Sequence, residues 1–110
     1  MNYLETLKKA DISINTSGDN VIIAAPGDGK YIAIDHINLV PAAVVTVQLK
    51  DGSTNYGGAY PLTTSQGFVL ENAMRNEHGV ITLSNNSGFT INLSGAVQVS
   101  GFIRYRIINQ

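Results

Sequence analysis

From Asp11 to the end of the chain apolar and polar residues alternate with a period of two, broken at short intervals by Gly, Asn and Pro. That rhythm is the pattern of an all-β sandwich or barrel. It predicts strands at about 11–16, 20–25, 30–40, 43–50, 67–70, 79–84, 88–94 and 96–108. The last is the most regular. Successive strand side chains point to opposite faces, so Val97, Val99, Ile103, Tyr105 and Ile107 share a core face, and Gln98, Ser100, Phe102, Arg104 and Arg106 share the other. Gly101 falls on the core face, where it is expected to permit a bulge or the close approach of a neighbour. Upstream, Phe89, Ile91 and Leu93 alternate with Thr90 and Asn92, and Ser94-Gly95 predicts a compact reversal, making the two segments a hairpin.

Ala25-Pro26-Gly27-Asp28-Gly29-Lys30 reads as a hairpin turn between Val21-Ile22-Ile23 and Tyr31-Ile32-Ala33-Ile34. Strict alternation along 30–40 puts Ile32, Ile34 and Val40 on one face and Tyr31, Ala33, Ile37 and Leu39 on the other. A strand apolar on both faces is expected to be central, or to meet a core on one side and a partner chain on the other. Val45, Val47 and Leu49 alternate with Thr46, Gln48 and Lys50, and residues 51–66 read as a long Gly-rich loop or a broken edge strand. Helical spacing is confined to residues 2–10, where Tyr3, Leu4 and Leu7 share a face; nine residues are marginal as an isolated helix. The organisation expected is an arm over residues 1–11 followed by one β-sandwich domain over 12–110.

Composition narrows the partners. Charged residues are only 14% of the chain, and 27 Asn, Ser and Thr stand against 15 charged side chains. Such a surface suits protein–protein contact, where desolvating full charges is unfavourable. Seven Lys and Arg against eight Asp and Glu give no basic patch, so nucleic acid is not an expected partner. No apolar run approaches the roughly 18 residues of a membrane span, and MNYLETLKKA lacks an apolar signal core, so neither a membrane nor a secretory route is expected. With no Cys there is no disulfide framework and no thiolate metal site.

Candidate chemistry fails on spacing. Asp35 and His36 are adjacent, which on a regular strand sends them to opposite faces and prevents a carboxylate–imidazole pair. Glu77 and His78 read as a solvated turn without a third metal ligand nearby. Gly27-Asp28-Gly29-Lys30 lacks the helix of a phosphate loop. Asp51, Ser53 and Asn55 have calcium-loop spacing, but Tyr56 stands where such a loop needs Gly and Leu62 where it needs Glu. Neither catalytic residues, nor a metal, nor another cofactor is therefore expected. Tyr56 and Tyr60, in Tyr56-Gly57-Gly58-Ala59-Tyr60, are candidates for a ligand loop that stacks on a sugar.

Strand 30–40, the Val44-Val45-Thr46-Val47-Gln48-Leu49-Lys50 strand, Gly67-Phe68-Val69-Leu70, and above all the run from Ser87 to Tyr105 resemble the small β-sandwich structural proteins of tailed bacteriophages. The resemblance covers about residues 12–108 and carries no catalytic signature. It implies an antiparallel, jelly-roll-like β-sandwich of about eight strands. It also implies a non-enzymatic virion protein, made in the host cytoplasm, that decorates (cements) the capsid as a homotrimer bound to the major capsid protein. The residues expected at subunit or capsid contacts are Tyr3, Leu4 and Leu7 of the arm, with His36, Phe102, Arg104 and Arg106. The alternative is a tail spike or fibre module that binds host-surface carbohydrate through Tyr56 and Tyr60.

Overall fold

Two antiparallel five-stranded sheets pack over a shared apolar centre in the computed structural model, which describes residues 7–73 and 78–110. The strands are β1 (Lys8–Ile14), β2 (Gly18–Ile23), β3 (Lys30–Pro41), β4 (Val45–Asp51), β5 (Thr54–Asn55), β6 (Tyr60–Leu62), β7 (Phe68–Glu71), β8 (Ile81–Thr82), β9 (Phe89–Leu93) and β10 (Val99–Asn109). The first sheet runs β1-β10-β3-β7, with β8 on β3 beside β7; the second runs β2-β9-β4-β5, with β6 on β4 beside β5. Ile12, Ile37, Leu39, Val99 and Ile103 point inward from the first sheet and meet Val47, Leu49, Phe89, Ile91 and Leu93 from the second, all nearly inaccessible to water. Burying this set is the main driving force for closing the sandwich.

All eight segments expected as strands contain strand, but two connections differ from the sequence reading. β9 and β10 do not form a hairpin: β9 pairs with β2 and β4, β10 with β1 and β3. Residues 94–98 cross from one sheet to the other, since at about 3.3 Å per residue five residues can bridge the roughly 10 Å between packed sheets. Their ends are tied by Ser94 N–H to Thr46 O and Ala42 N–H to Gln98 O. Likewise Ala25–Lys30 is no hairpin turn, because β2 and β3 lie in opposite sheets. Of the two readings of residues 51–66, a loop or a broken edge strand, the second holds: β5 and β6 pair one after the other along β4, and a hairpin opens the segment. Gly52, at φ 62°, lets the chain reverse so that Asp51 faces Thr54 across β4 and β5.

The regular alternation of 30–40 is also broken. Along β3 and β10, Arg104 faces His36 but Tyr105 faces Ile34, which leaves Asp35 as the extra residue of a β-bulge. The bulge shifts parity, so that Ile32, Ile34, Ile37 and Leu39 all join the core while Val40 turns outward. β3 is therefore not apolar on both faces. Gly101 does serve close approach: a Cβ there would strike the Asn38 backbone. At the N-terminus, Lys8–Ala10 belong to β1 rather than to a helix.

Candidate contact face

The outer face of the first sheet is ordered by strand register. Lys9, Arg104, His36 and Glu71 form one cross-strand row through β1, β10, β3 and β7, and Asp11, Phe102, Asn38 and Val69 form the next. Ser13, Ser100 and Val40 continue it. In such rows opposing side chains touch and lock one another's rotamers.

Within the rows the side chains are mutually positioned. The His36 ring stacks on Phe102, with centroids 5.1 Å apart, and the Arg104 guanidinium lies 5.7 Å above the same ring. His36 Nδ1 bonds the Glu71 carboxylate. Asn38 Nδ2 lies 2.8 Å from His36 Nε2, while Asn38 Oδ1 accepts the Phe102 backbone N–H at 3.3 Å. Lys9 and Asp11 pair along β1 at 3.2 Å. Val69, 60% exposed, and Val40, 45% exposed, flank this cluster as large apolar side chains open to water.

Arg106 is not part of this exposed set, contrary to expectation. It lies on the same outward face of β10, but it is 5% exposed and bound in a bidentate pair with Asp35, Nε to Oδ2 at 2.7 Å and Nη2 to Oδ1 at 3.0 Å. Asn72, just after β7, donates to Asp35 Oδ1 at 2.8 Å and its N–H caps Asp35 O. The chain leaving β7 thus helps to cover the pair.

Opposite faces were also expected for Asp35 and His36, yet the bulge lets both engage even-numbered partners on β10, Arg106 and Phe102. An imidazole–carboxylate pair does form, with Glu71 as its carboxylate. Asn38, Glu71, Val40 and Val69 were not singled out from sequence. The only signal for Val69 and Glu71 is the alternation of Phe68-Val69-Leu70-Glu71, which sends them away from Phe68 and Leu70. Of the arm candidates, Leu7 is half-buried just ahead of β1, and Tyr3 and Leu4 lie outside the described residues, as does Glu77.

The outer face of the second sheet is different in kind. Asp19 accepts from Asn92 Nδ2 at 2.7 Å and from Lys50 Nζ at 3.1 Å to each oxygen. The Asn92 hydrogen bond first, and the Lys50 ammonium second, hold the Asp19 carboxyl below its ordinary value of 3.8. Thr46 and Gln48 lie on the same face, and the Gln48 amide donates to Leu49 O at 2.8 Å.

The other candidate sites are occupied by their own structure. Tyr56 packs on the core and its Oη accepts Thr82 N–H at 3.4 Å, whereas Tyr60 sets its ring edge-on to Phe68, centroids 4.4 Å apart. Each ring bridges the β5/β6 edge of one sheet to the β7/β8 edge of the other, and the two turn toward different partners. In the Gly27–Gly29 turn the amides a phosphate would need donate instead to Asn86 Oδ1 at 3.0 Å and Asn85 Oδ1 at 2.9 Å. Asp51 Oδ2, of the calcium-like spacing, accepts the N–H and hydroxyl of Ser84 at 3.0 and 2.7 Å. An open cleft of about 280 Å³ beside Tyr31, His78, Asn85 and Gln110 is lined by hydroxyls and amides that mostly have internal partners, Thr82 Oγ1 on His78 O among them.

No family model, no curated protein and no solved structure matches the chain.

Proposed function

We propose that the chain is a non-enzymatic virion structural protein, a decoration (cement) protein that assembles as a homotrimer on the capsid of a tailed bacteriophage and stabilises the shell. What carries the reading is the asymmetry of the sandwich. One outer face is mostly polar, with Asp19, Lys50 and Asn92 bonded to one another and Val21 the exposed apolar side chain beside them, and the other presents Phe102 between Arg104 and His36, flanked by exposed Val40 and Val69. An aromatic anchor beside Arg with an apolar surround is the composition of an interface centre.

Two further features support it. Counting β5 with β6 and β7 with β8 as single interrupted strands, the two sheets run 1-8-3-6 and 2-7-4-5. That order supports a jelly-roll reading, an architecture that viral capsid domains use. A threefold ring also needs two unlike surfaces per subunit. Among the described residues the exposed large apolar side chains fall into two such sets, Val40 and Val69 flanking half-buried Phe102 on the first sheet, and Val21 on β2 with Val44 just before β4.

On this reading His36, Phe102 and Arg104 meet a sister copy, and the arm with Tyr3, Leu4 and Leu7 reaches the major capsid protein. Binding only to the assembled shell stabilises it by mass action, and many copies act together. The carbohydrate alternative has less support, because the partly buried rings of Tyr56 and Tyr60 pack along the edge of the sandwich. The test is co-sedimentation with empty shells assembled from tailed-phage major capsid proteins. Retention on shells, and its loss on removal of residues 1–7, is expected; absence of retention overturns the assignment.

A further inference from the structure

The hydrogen bonds beneath Phe102 fix the protonation state of His36 by donor and acceptor logic alone. A backbone N–H only donates, so the Asn38 atom facing Phe102 N is the carbonyl Oδ1, and the atom facing His36 is the amide Nδ2, itself a donor. His36 Nε2 must then be the unprotonated, accepting nitrogen. The proton sits on Nδ1, which donates to the Glu71 carboxylate. Every member is satisfied in the order Phe102 N–H, Asn38, His36, Glu71, and only with a neutral imidazole.

We infer that protonation of His36 switches this contact face: a proton arriving at Nε2 meets the Asn38 amide donor head-on, turns that amide over, and takes its Oδ1 away from the Phe102 N–H. The inference rests on the subunit-contact reading above and gives it a regulator. The charged groups that face the imidazole are Glu71 on β7, Arg104 on β10, directly opposite His36, and Lys9 beyond it on β1; Asp11 is engaged by Lys9, and Asp35 by Arg106. Protonation therefore adds a third cation to the row Lys9, Arg104, His36 and unseats the hydrogen bond at its aromatic anchor. Covering the face by a second copy becomes less favourable in acid. In the free chain water can replace the lost partner, whereas a covering copy excludes it, and one polar group left unpaired in this way weakens association roughly tenfold.

Two measurements decide this. Imidazole is the side chain whose ordinary charge change falls between about pH 5 and 8, so nitrogen NMR of the intact chain is recorded across that range. At the alkaline end His36 is expected as the Nδ1–H tautomer, and on acidification the Phe102 amide and the Asn38 side-chain amide are expected to shift with the same midpoint as His36. An Nε2–H tautomer, or a Phe102 amide that ignores the titration, overturns the switch. Sedimentation of the same samples is expected to show association weakening roughly tenfold in acid, and Asn38→Asp, which offers acceptors to both neighbours, is expected to abolish that dependence. Association that is equally strong at both ends of the range overturns the regulatory role. Absence of association throughout overturns the subunit-contact reading itself, while the resonances still decide the relay.

Discussion

Arg106 grips Asp35 through two hydrogen bonds, 2.7 and 3.0 Å long, in a setting where both side chains are almost wholly removed from water. Asp35 is the bulged residue of β3, so the pair fastens the irregular point of the central strand to its neighbour β10. An ion pair in such a place is held by geometry and by additional hydrogen bonds, here from Asn72. Removing one partner strands a buried charge. Asp35→Ala or Arg106→Ala is expected to lower unfolding stability by about 3–5 kcal/mol in urea titrations. The double replacement Asp35→Leu with Arg106→Met is expected to recover most of that loss; single variants within 1 kcal/mol of the parent would contradict the assignment.

Close approach at Gly101 makes a second prediction. A methyl group there meets the backbone of Asn38, which cannot step aside without disturbing the β3–β10 ladder. Gly101→Ala is expected to destabilise by about 1–3 kcal/mol. Gly58→Ala, where added atoms meet open space, is expected to leave the urea midpoint unchanged.

Asp19 predicts a pH effect of defined sign. Its carboxyl is held below the ordinary 3.8 by Asn92 and then Lys50. A depressed folded value means that its stabilising contribution is complete above the unfolded value and fades as pH falls through the lower folded one. Asn92→Ala is therefore expected to move the Asp19 titration upward, followed by carboxyl carbon NMR. A titration unmoved by Asn92→Ala and by Lys50→Met would contradict the network.

The edge closure at Tyr60 and Phe68 is testable by a double-mutant cycle. Edge-to-face rings contribute about 0.5–1.5 kcal/mol beyond the area they bury, and Tyr60→Leu combined with Phe68→Leu is expected to show that coupling. A coupling near zero would place the two rings apart in solution.

Much of this was legible residue by residue. The alternation through Phe89, Ile91 and Leu93 and through Val99, Ile103, Tyr105 and Ile107 picks out core positions correctly because parity is a local property of a strand. Which sheet a strand joins is not local. Ser94-Gly95 can close a hairpin or begin a crossing, and only the pairing of β9 with β2 and β4 decides. The bulge at Asp35 left no mark, since no Gly or Pro announces it, and with it went the sides assigned to Val40, Ile37 and Leu39. Of the candidate contact face, Phe102, Arg104 and His36 could be named from alternation or composition. Glu71 and Asn38 acquire their roles only when β7 and β10 close on either side of β3. Arg106 looked the same as Arg104 in sequence and differs because Asp35 and Asn72 enclose it.

The central claim is that the face around Phe102 joins copies of the chain, and sedimentation velocity of the wild type beside Phe102→Ser tests it most directly. At micromolar concentration the wild type is expected to run as a trimer. Phe102→Ser, with an unchanged far-ultraviolet spectrum, is expected to run as a monomer, because it removes the ring on which His36 and Arg104 both rest. A wild-type monomer, or a trimer indifferent to Phe102→Ser, would contradict it.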